Sequence, residues 1–146
     1  LVGRTAATRH VMTAARTEAV RRIRERAETP IGDVLLNQRV MAGVGNVYKS
    51  ETCFLARVDP WRPVGSLRPE EAAELGATAA RLMAEDVHSG GGIRTFRPPL
   101  ARPASRERTW VYGRAGRPCR RCGAPIRARG QGDANRTTYW CPSCQT

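Results

Sequence analysis

Four of the five cysteines fall into two pairs, Cys119-x2-Cys122 and Cys141-x2-Cys144, with 18 residues between them. Tetrahedral zinc takes four thiolates at ~2.3 Å, and two CxxC knuckles joined by a hairpin supply that geometry. Two disulfides or a redox pair are the alternatives for the same cysteines. Thr137, Thr138, Tyr139 and Trp140 give the segment before the second pair β character, and residues 130–135 hold the turn formers that a hairpin needs. A unit over residues 109–146 buries too little apolar surface to hold itself together, so one bound Zn2+ would supply the missing stability. Cys53 stands apart from these four. It lies beside Phe54 in a helical pattern and reads as a small buried apolar side chain.

Upstream of the cysteines the periodicity is helical. Residues 1–13 show weak periodicity and are expected to fray. Residues 14–27 read as a helix with Val20 and Ile23 on its apolar side. Thr29-Pro30 then suggests an N-cap and a first-turn proline for a helix over 31–39, buried through Ile31, Val34 and Leu35. A tight turn at residues 42–45 leads into a helix over 46–57, with Val47, Phe54, Leu55 and Val58 expected inside. A long helix over 69–88 carries the stripe Ala72, Leu75, Ala79, Leu82, Met83 and Val87, and the run Ser89-Gly90-Gly91-Gly92 stops it. Residues 93–108 hold three prolines and five arginines without periodicity and read as a mobile linker or loop. The expected architecture is mainly α with a small β hairpin, in three parts: a flexible N-terminus over 1–13, a helical unit over 14–105 and the cysteine unit over 106–146. Each helix has its own stripe, so loss of the metal is expected to unfold residues 109–146 and spare the helices.

The charge balance says what such a chain meets. Its formal net charge is +12, with an isoelectric point near 11.0. Residues 1–88 carry 13 basic and 11 acidic side chains, whereas residues 89–146 carry 12 basic and 2 acidic ones. The excess therefore gathers around the cysteine unit and points to a polyanionic partner. Of the 25 basic residues, only Lys49 is lysine. Arginine's planar fork suits bidentate phosphate contacts, although a compositional bias toward arginine produces the same count. No run approaches the ~18 apolar residues needed to cross a bilayer, so no membrane partner is expected. Paired cysteines of this kind fit a reducing, intracellular setting.

Two glycines, Gly43 and Gly45, directly precede Asn46 and the start of a helix. Exposed amides at a helix start bind phosphate readily, and Asn46 can cap the helix or donate to a phosphate oxygen; an ordinary tight turn carries the same pattern. The stretch IGDVLLNQRVMAGVGNVYKSE over residues 31–51 resembles the helix–two-turn–helix motif of the formamidopyrimidine-DNA glycosylase and endonuclease VIII family. VYGRAGRPCRRCG with RTTYWCPSCQ, over residues 111–145, resembles that family's C-terminal zinc finger. The two motifs follow each other in the family's order, and NVYKSE leans toward the endonuclease VIII-like bacterial branch.

The resemblance implies a helix–two-turn–helix bundle followed by a four-cysteine zinc finger, the C-terminal half of a bifunctional base-excision glycosylase and AP lyase. It implies that Asn46 and the amides near it, Gly45 included, grip phosphates next to a flipped nucleotide. Arg136 would hold the kinked backbone from the hairpin tip, with Tyr112 and Arg39 as further phosphate contacts. The partner would be double-stranded DNA carrying a damaged base or an abasic site, met by a single chain in a bacterial cytoplasm, at the nucleoid. Members of the family start with a β-sandwich that bears a catalytic proline amine and a glutamate. Neither that sandwich nor its residues can be seen in this sequence, so no catalytic residue is assigned and the chain alone is expected to be inactive. Lys49 lies four residues past Gly45, two more than a helix-hairpin-helix lysine would, and reads as a phosphate contact or a solvated charge. Glu51 either buttresses the turn or stands half-exposed. A standalone binder of damaged or abasic DNA is the alternative function. A zinc ribbon of the transcription or ribosomal type would leave residues 31–51 unexplained.

Overall fold

A computed structural model describes residues 18, 21, 25–37, 44–90, 92–98 and 107–146. The expected fraying of residues 1–13, most of the helix expected over 14–27, and Arg39 with its neighbours 38–43 lie outside the described residues. Glu18 and Arg21 are helical.

The first complete helix, α1, spans Ile31–Leu36, three residues shorter than expected at its far end. Asn37 is extended (φ −73°, ψ 110°), and its amide folds back onto the Val34 carbonyl. The near end also differs. Pro30 is not in the first turn but caps it from extended backbone, paired with Pro63. The amides of Ile31 and Gly32, orphans of a helix start, donate to the carbonyls of Arg62 (2.8 Å) and Pro60 (2.9 Å). The loop at 60–63 therefore does the capping that Thr29 was expected to do.

Helix α2 covers Asn46–Leu55, and α3 covers Pro69–Ser89, reached through a short 3-10 turn at Val64–Ser66. At the start of α3 the Arg68 amide donates to Glu71 (3.0 Å), and Glu71 pairs with Arg62 at 2.9 Å. Gly90 closes the helix in the left-handed region (φ 67°). Ile31, Val34, Leu35, Val44, Cys53, Val58, Val64, Leu67, Leu75 and Ala79 form one apolar core between these helices. Val87 is a correction to the expected stripe: it is 82% exposed, and Asp86 takes the buried position next to it.

The hairpin pairs β1 (Arg127–Gln131) with β2 (Arg136–Trp140) in antiparallel register, Arg127 opposite Trp140 and Gln131 opposite Arg136. It packs on the helices through Gln131, whose amide donates to the Pro60 carbonyl (2.9 Å) while its oxygen accepts from the Thr138 hydroxyl (2.6 Å). A Cβ on Gly32 would strike that fixed Gln131 side chain, so α1 needs a glycine where the hairpin sits on it. Gly32→Ala is expected to cost about 1–3 kcal/mol through overpacking at a site with no slack. Urea unfolding of the two proteins, read by circular dichroism, checks this as a lower midpoint at unchanged slope.

Candidate DNA interface and zinc centre

The four cysteine sulfurs converge, with their ligand atoms all within 4.8 Å of one another. Cys119 Sγ lies 3.8 Å from Cys144 Sγ, and Cys122 Sγ lies 3.5 Å from Cys141 Sγ. A tetrahedron with ~2.3 Å metal–sulfur bonds has edges of about 3.8 Å, so the donor set fits one zinc ion. The amides of Arg121 and Cys144 donate to Cys119 Sγ and Cys141 Sγ, each at 3.4 Å, which fixes both knuckles. The Ala124 amide, aided by Cys141, pulls the Cys122 thiol down to about 7, whereas burial pushes the Cys141 thiol up and that of Cys144 up to about 12. The chain thus carries a site for one structural zinc, formed by Cys119, Cys122, Cys141 and Cys144.

The finger does not stand by itself. Phe54 of α2 packs with Val111, Cys119, Ile126 and Cys141 in a second apolar cluster. Gln145 accepts from the Cys141 amide (2.8 Å) and donates to the Val58 carbonyl (2.9 Å). The Thr146 amide donates to the Arg57 carbonyl (3.2 Å). The largest correction concerns α2. Val47 and Leu55, expected inside, are half-buried, while Lys49, Ser50, Glu51 and Thr52 are fully buried beside Cys53 and Phe54. Glu51 is neither half-exposed nor a local brace. Its Oε1 accepts from the Thr95 hydroxyl and the Trp110 amide (2.5 Å), and its Oε2 from the amides of Val111 (2.9 Å) and Tyr112 (3.3 Å). Burial pushes its carboxyl up from the ordinary range, and the four donors pull the other way. Thr95, bound to Glu51 and to the Arg108 carbonyl (2.9 Å), is buried, so of the two readings, mobile linker or loop, the described residues 93–98 form a loop that is pinned there. No local pattern marks Thr95, Gln131 or Gln145.

Of the residues singled out for DNA contact, Arg39 is outside the described residues, and Gly45, Asn46, Arg136 and Tyr112 lie near the seam between α2 and the hairpin. Gly45 caps α2 from extended backbone (φ −92°, ψ −177°), is exposed, and a Cβ there would meet nothing within 4 Å. Asn46 is the first residue of the helix rather than its cap. Its Nδ2 donates to the Thr137 carbonyl of β2 at 2.8 Å, next to exposed Arg136. Asn46 and Arg136, 90 residues apart in sequence, are thereby brought together. Tyr112 is half-buried with its ring edge-on to Tyr139 (5.0 Å), one residue past Thr138 on the same strand. Tyr48, one turn into α2, donates to Asp86 at 2.6 Å, and burial pushes its phenol up to about 12. Lys49, read from sequence as a phosphate contact or a surface charge, is 0% exposed, so neither description holds.

Because Phe54, Arg57 and Val58 all lean on the finger, the helices are not expected to survive metal loss unchanged. Chelation of the reduced protein should release one equivalent of zinc, collapse the near-ultraviolet signal of Trp110 and Trp140, and lower the helical melting midpoint. Cys141→Ser should reproduce both optical changes. A helical midpoint identical with and without zinc would show that the two units stand independently.

Comparison with known proteins agrees with this geometry. The family pattern described as "Formamidopyrimidine-DNA glycosylase H2TH domain" matches residues 7–97, and "Zinc finger found in FPG and IleRS" matches residues 116–146. The chain is 45% identical over 128 residues to the probable endonuclease 8 2 of Streptomyces coelicolor, covering 82% of this chain and 42% of that protein. It is 42% identical over 120 residues to the formamidopyrimidine-DNA glycosylase of Thermus thermophilus, covering 80% and 44%. Among solved structures, the MutM (FPG) protein of Thermus thermophilus superposes with a TM-score of 0.72 at 39% identity, over 89% of this chain and 49% of that one. The Lactococcus lactis Fpg in complex with abasic-site DNA gives 0.72 at 29% identity, over 90% and 48%. The chain spans less than half the length of these relatives. With its helix–two-turn–helix segment, its four-cysteine finger and the seam between them, the chain belongs to the formamidopyrimidine-DNA glycosylase and endonuclease VIII family.

Proposed function

We propose that the chain is the DNA-clamping half of a bifunctional base-excision glycosylase and AP lyase, gripping the phosphates beside a flipped nucleotide while a β-sandwich half supplies the chemistry. The observation that carries this is the seam itself. The amides at the start of α2, the Asn46 side chain and the exposed Arg136 guanidinium meet at one place, on a chain whose net charge is +12. Helix-start amides favour an anion, and a guanidinium beside them adds a bidentate fork for the next phosphate oxygen. Neither group reads a base edge, so the grip is independent of sequence and depends on salt. Relatives of the same architecture were solved on abasic-site DNA, which supports the same partner for this chain. Tyr112, Gly45 and Arg39 are proposed as supporting contacts to the backbone.

Gly45 offers a discriminating test. Its backbone angles suit any residue and nothing crowds it, so Gly45→Ala should leave the fold intact. A phosphate seated on the amides of residues 45–47 would collide with the new methyl, and affinity for duplex carrying an abasic-site analogue should drop. Arg136→Ala should weaken binding by about 1–3 kcal/mol and reduce the slope of log affinity against log salt by roughly 0.9. Asn46→Ala should weaken binding without changing that slope, since it removes a neutral donor. Fluorescence anisotropy across a salt series measures all three. Wild-type affinity and slope in Arg136→Ala would remove the hairpin from the interface.

A further inference from the structure

Behind the seam lies a charge that the clamping function leaves unused. Lys49 sits one turn into α2, on the same side as Asn46, and is 0% exposed. Its Nζ has no hydrogen-bond partner among the described residues. An unpaired ammonium out of water is strongly disfavoured, and a protein answers by pairing it or by leaving it neutral. The charged and titratable groups that face it are Asp33 from α1, the Cys53 thiol one turn on in α2 and Arg136 from β2, with Asp133 of the hairpin turn facing Asp33. Asp33 is a weakened counter-charge, its carboxyl raised by its own burial. Burial, with repulsion from Arg136, brings the amine down to about 8. A nucleophile has to reach its target, which a wholly buried amine does not do. A pure packing role would be filled better by methionine.

We infer that Lys49 is a proton-linked reserve charge for the surface in front of it: in alkaline solution, where the free amine is neutral, it takes up a proton when a phosphodiester backbone docks over Asn46 and Arg136, and returns it on release. The step is R–NH2 + H+ → R–NH3+, with the proton drawn from solvent and no covalent bond changed elsewhere. The docked phosphate offsets the Arg136 charge, and its field reaches Lys49 through protein of low dielectric rather than through water. This rests on the DNA-binding function proposed above and adds a pH dependence that neither phosphates nor arginines produce. The signs of the two linkages oppose each other. The bound state holds more protons, so affinity falls as pH rises through about 8. In the free protein the folded-state value lies below the unfolded one of 10.5, so stability rises with pH between about 8 and 10.5.

The test is anisotropy titration of the zinc-loaded chain with a labelled duplex bearing a tetrahydrofuran abasic-site analogue, at constant ionic strength from about pH 7 to 9.5. Wild type should lose up to about tenfold in affinity per pH unit above 8. Lys49→Met, isosteric and uncharged, should give a flat profile that lies below wild type at low pH and meets it at high pH. Lys49→Arg, which stays protonated throughout, should also be flat. Melting curves establish that each variant is folded, and calorimetry of the wild type at about pH 9, in buffers of different ionisation enthalpy, should read proton uptake on binding. A flat wild-type profile with no proton uptake, or a slope that persists in Lys49→Met, overturns the inference and leaves DNA binding standing. Absence of binding at every pH overturns the DNA-binding function and the inference with it.

Discussion

The carboxylate of Glu51 is the joint on which the two halves of this structure turn. It is fully buried on α2, and all four of its donors come from outside that helix: the Thr95 hydroxyl and three successive amides at the entry to the finger. Successive backbone amides aimed at one point would repel each other without an anion among them. The carboxylate in turn would not be tolerated in the core without donors on both oxygens. Each side makes the other possible. The chain from Trp110 to Tyr112 is held in the one conformation that lets Val111 drop beside Phe54 and sets the first cysteine knuckle on its course. α2 is therefore the spine of both units, with one face in the helical core and the other under the finger.

Zinc and this joint divide the work of stabilising the finger. The metal closes the loop between two knuckles 18 residues apart, and the small apolar cluster inside borrows its largest fully buried side chain, Phe54, from the helix. Arg121 stacks over the Phe54 ring at 4.5 Å and donates to the Phe54 carbonyl at 3.0 Å, covering the cluster from the solvent side. A finger built this way has its orientation set both by its thiolates and by the α2 side chain packed against them.

Much of this was legible in the residues, and what escaped has a common cause. The cysteine spacing, the hairpin over 127–140 and the helix ending at the glycine run are written locally, in ligand geometry, turn formers and period. The buried run Lys49–Thr52 is not. Apolar periodicity assigns the core to apolar residues, and it has no means of finding Ser50 and Glu51, whose burial rests on polar partners dozens of residues away, nor Lys49 and Thr52, whose side-chain polar atoms have no partner among the described residues. Ser50 illustrates this: its hydroxyl accepts from the Tyr139 amide (3.2 Å), and nothing near residue 50 announces residue 139. Val87 fails in the opposite sense. It continues the stripe of α3, but Asp86 is needed inwards by Tyr48, Arg94 and Arg97, and the valine is turned out to solvent. Of the site residues, Asn46 and Arg136 were readable as a pair only through the resemblance, because the bond that brings them near each other, Asn46 to the Thr137 carbonyl, crosses 91 residues.

The same internal use of acids shapes the surface. Glu51, Asp86 and Glu71 are each engaged by donors within the fold, and only two acidic residues lie in the whole stretch from 89 to 146. The arginines of that stretch therefore meet few competing carboxylates, and the positive potential of the seam is a consequence of packing as much as of composition. On the proposed function, charge alone does not make the interface. The helix-start amides belong to α2 and the Arg136 guanidinium to β2, and their spacing is set by the Asn46–Thr137 bond, by Gln131 against Pro60 and by the metal that anchors the hairpin's base. A change that leaves every arginine in place but lets the finger swing would keep the long-range attraction to a polyanion and lose the simultaneous grip. On the proposed function, the structural zinc acts on DNA through distance, by holding two phosphate-facing groups one reach apart, and not through its own charge.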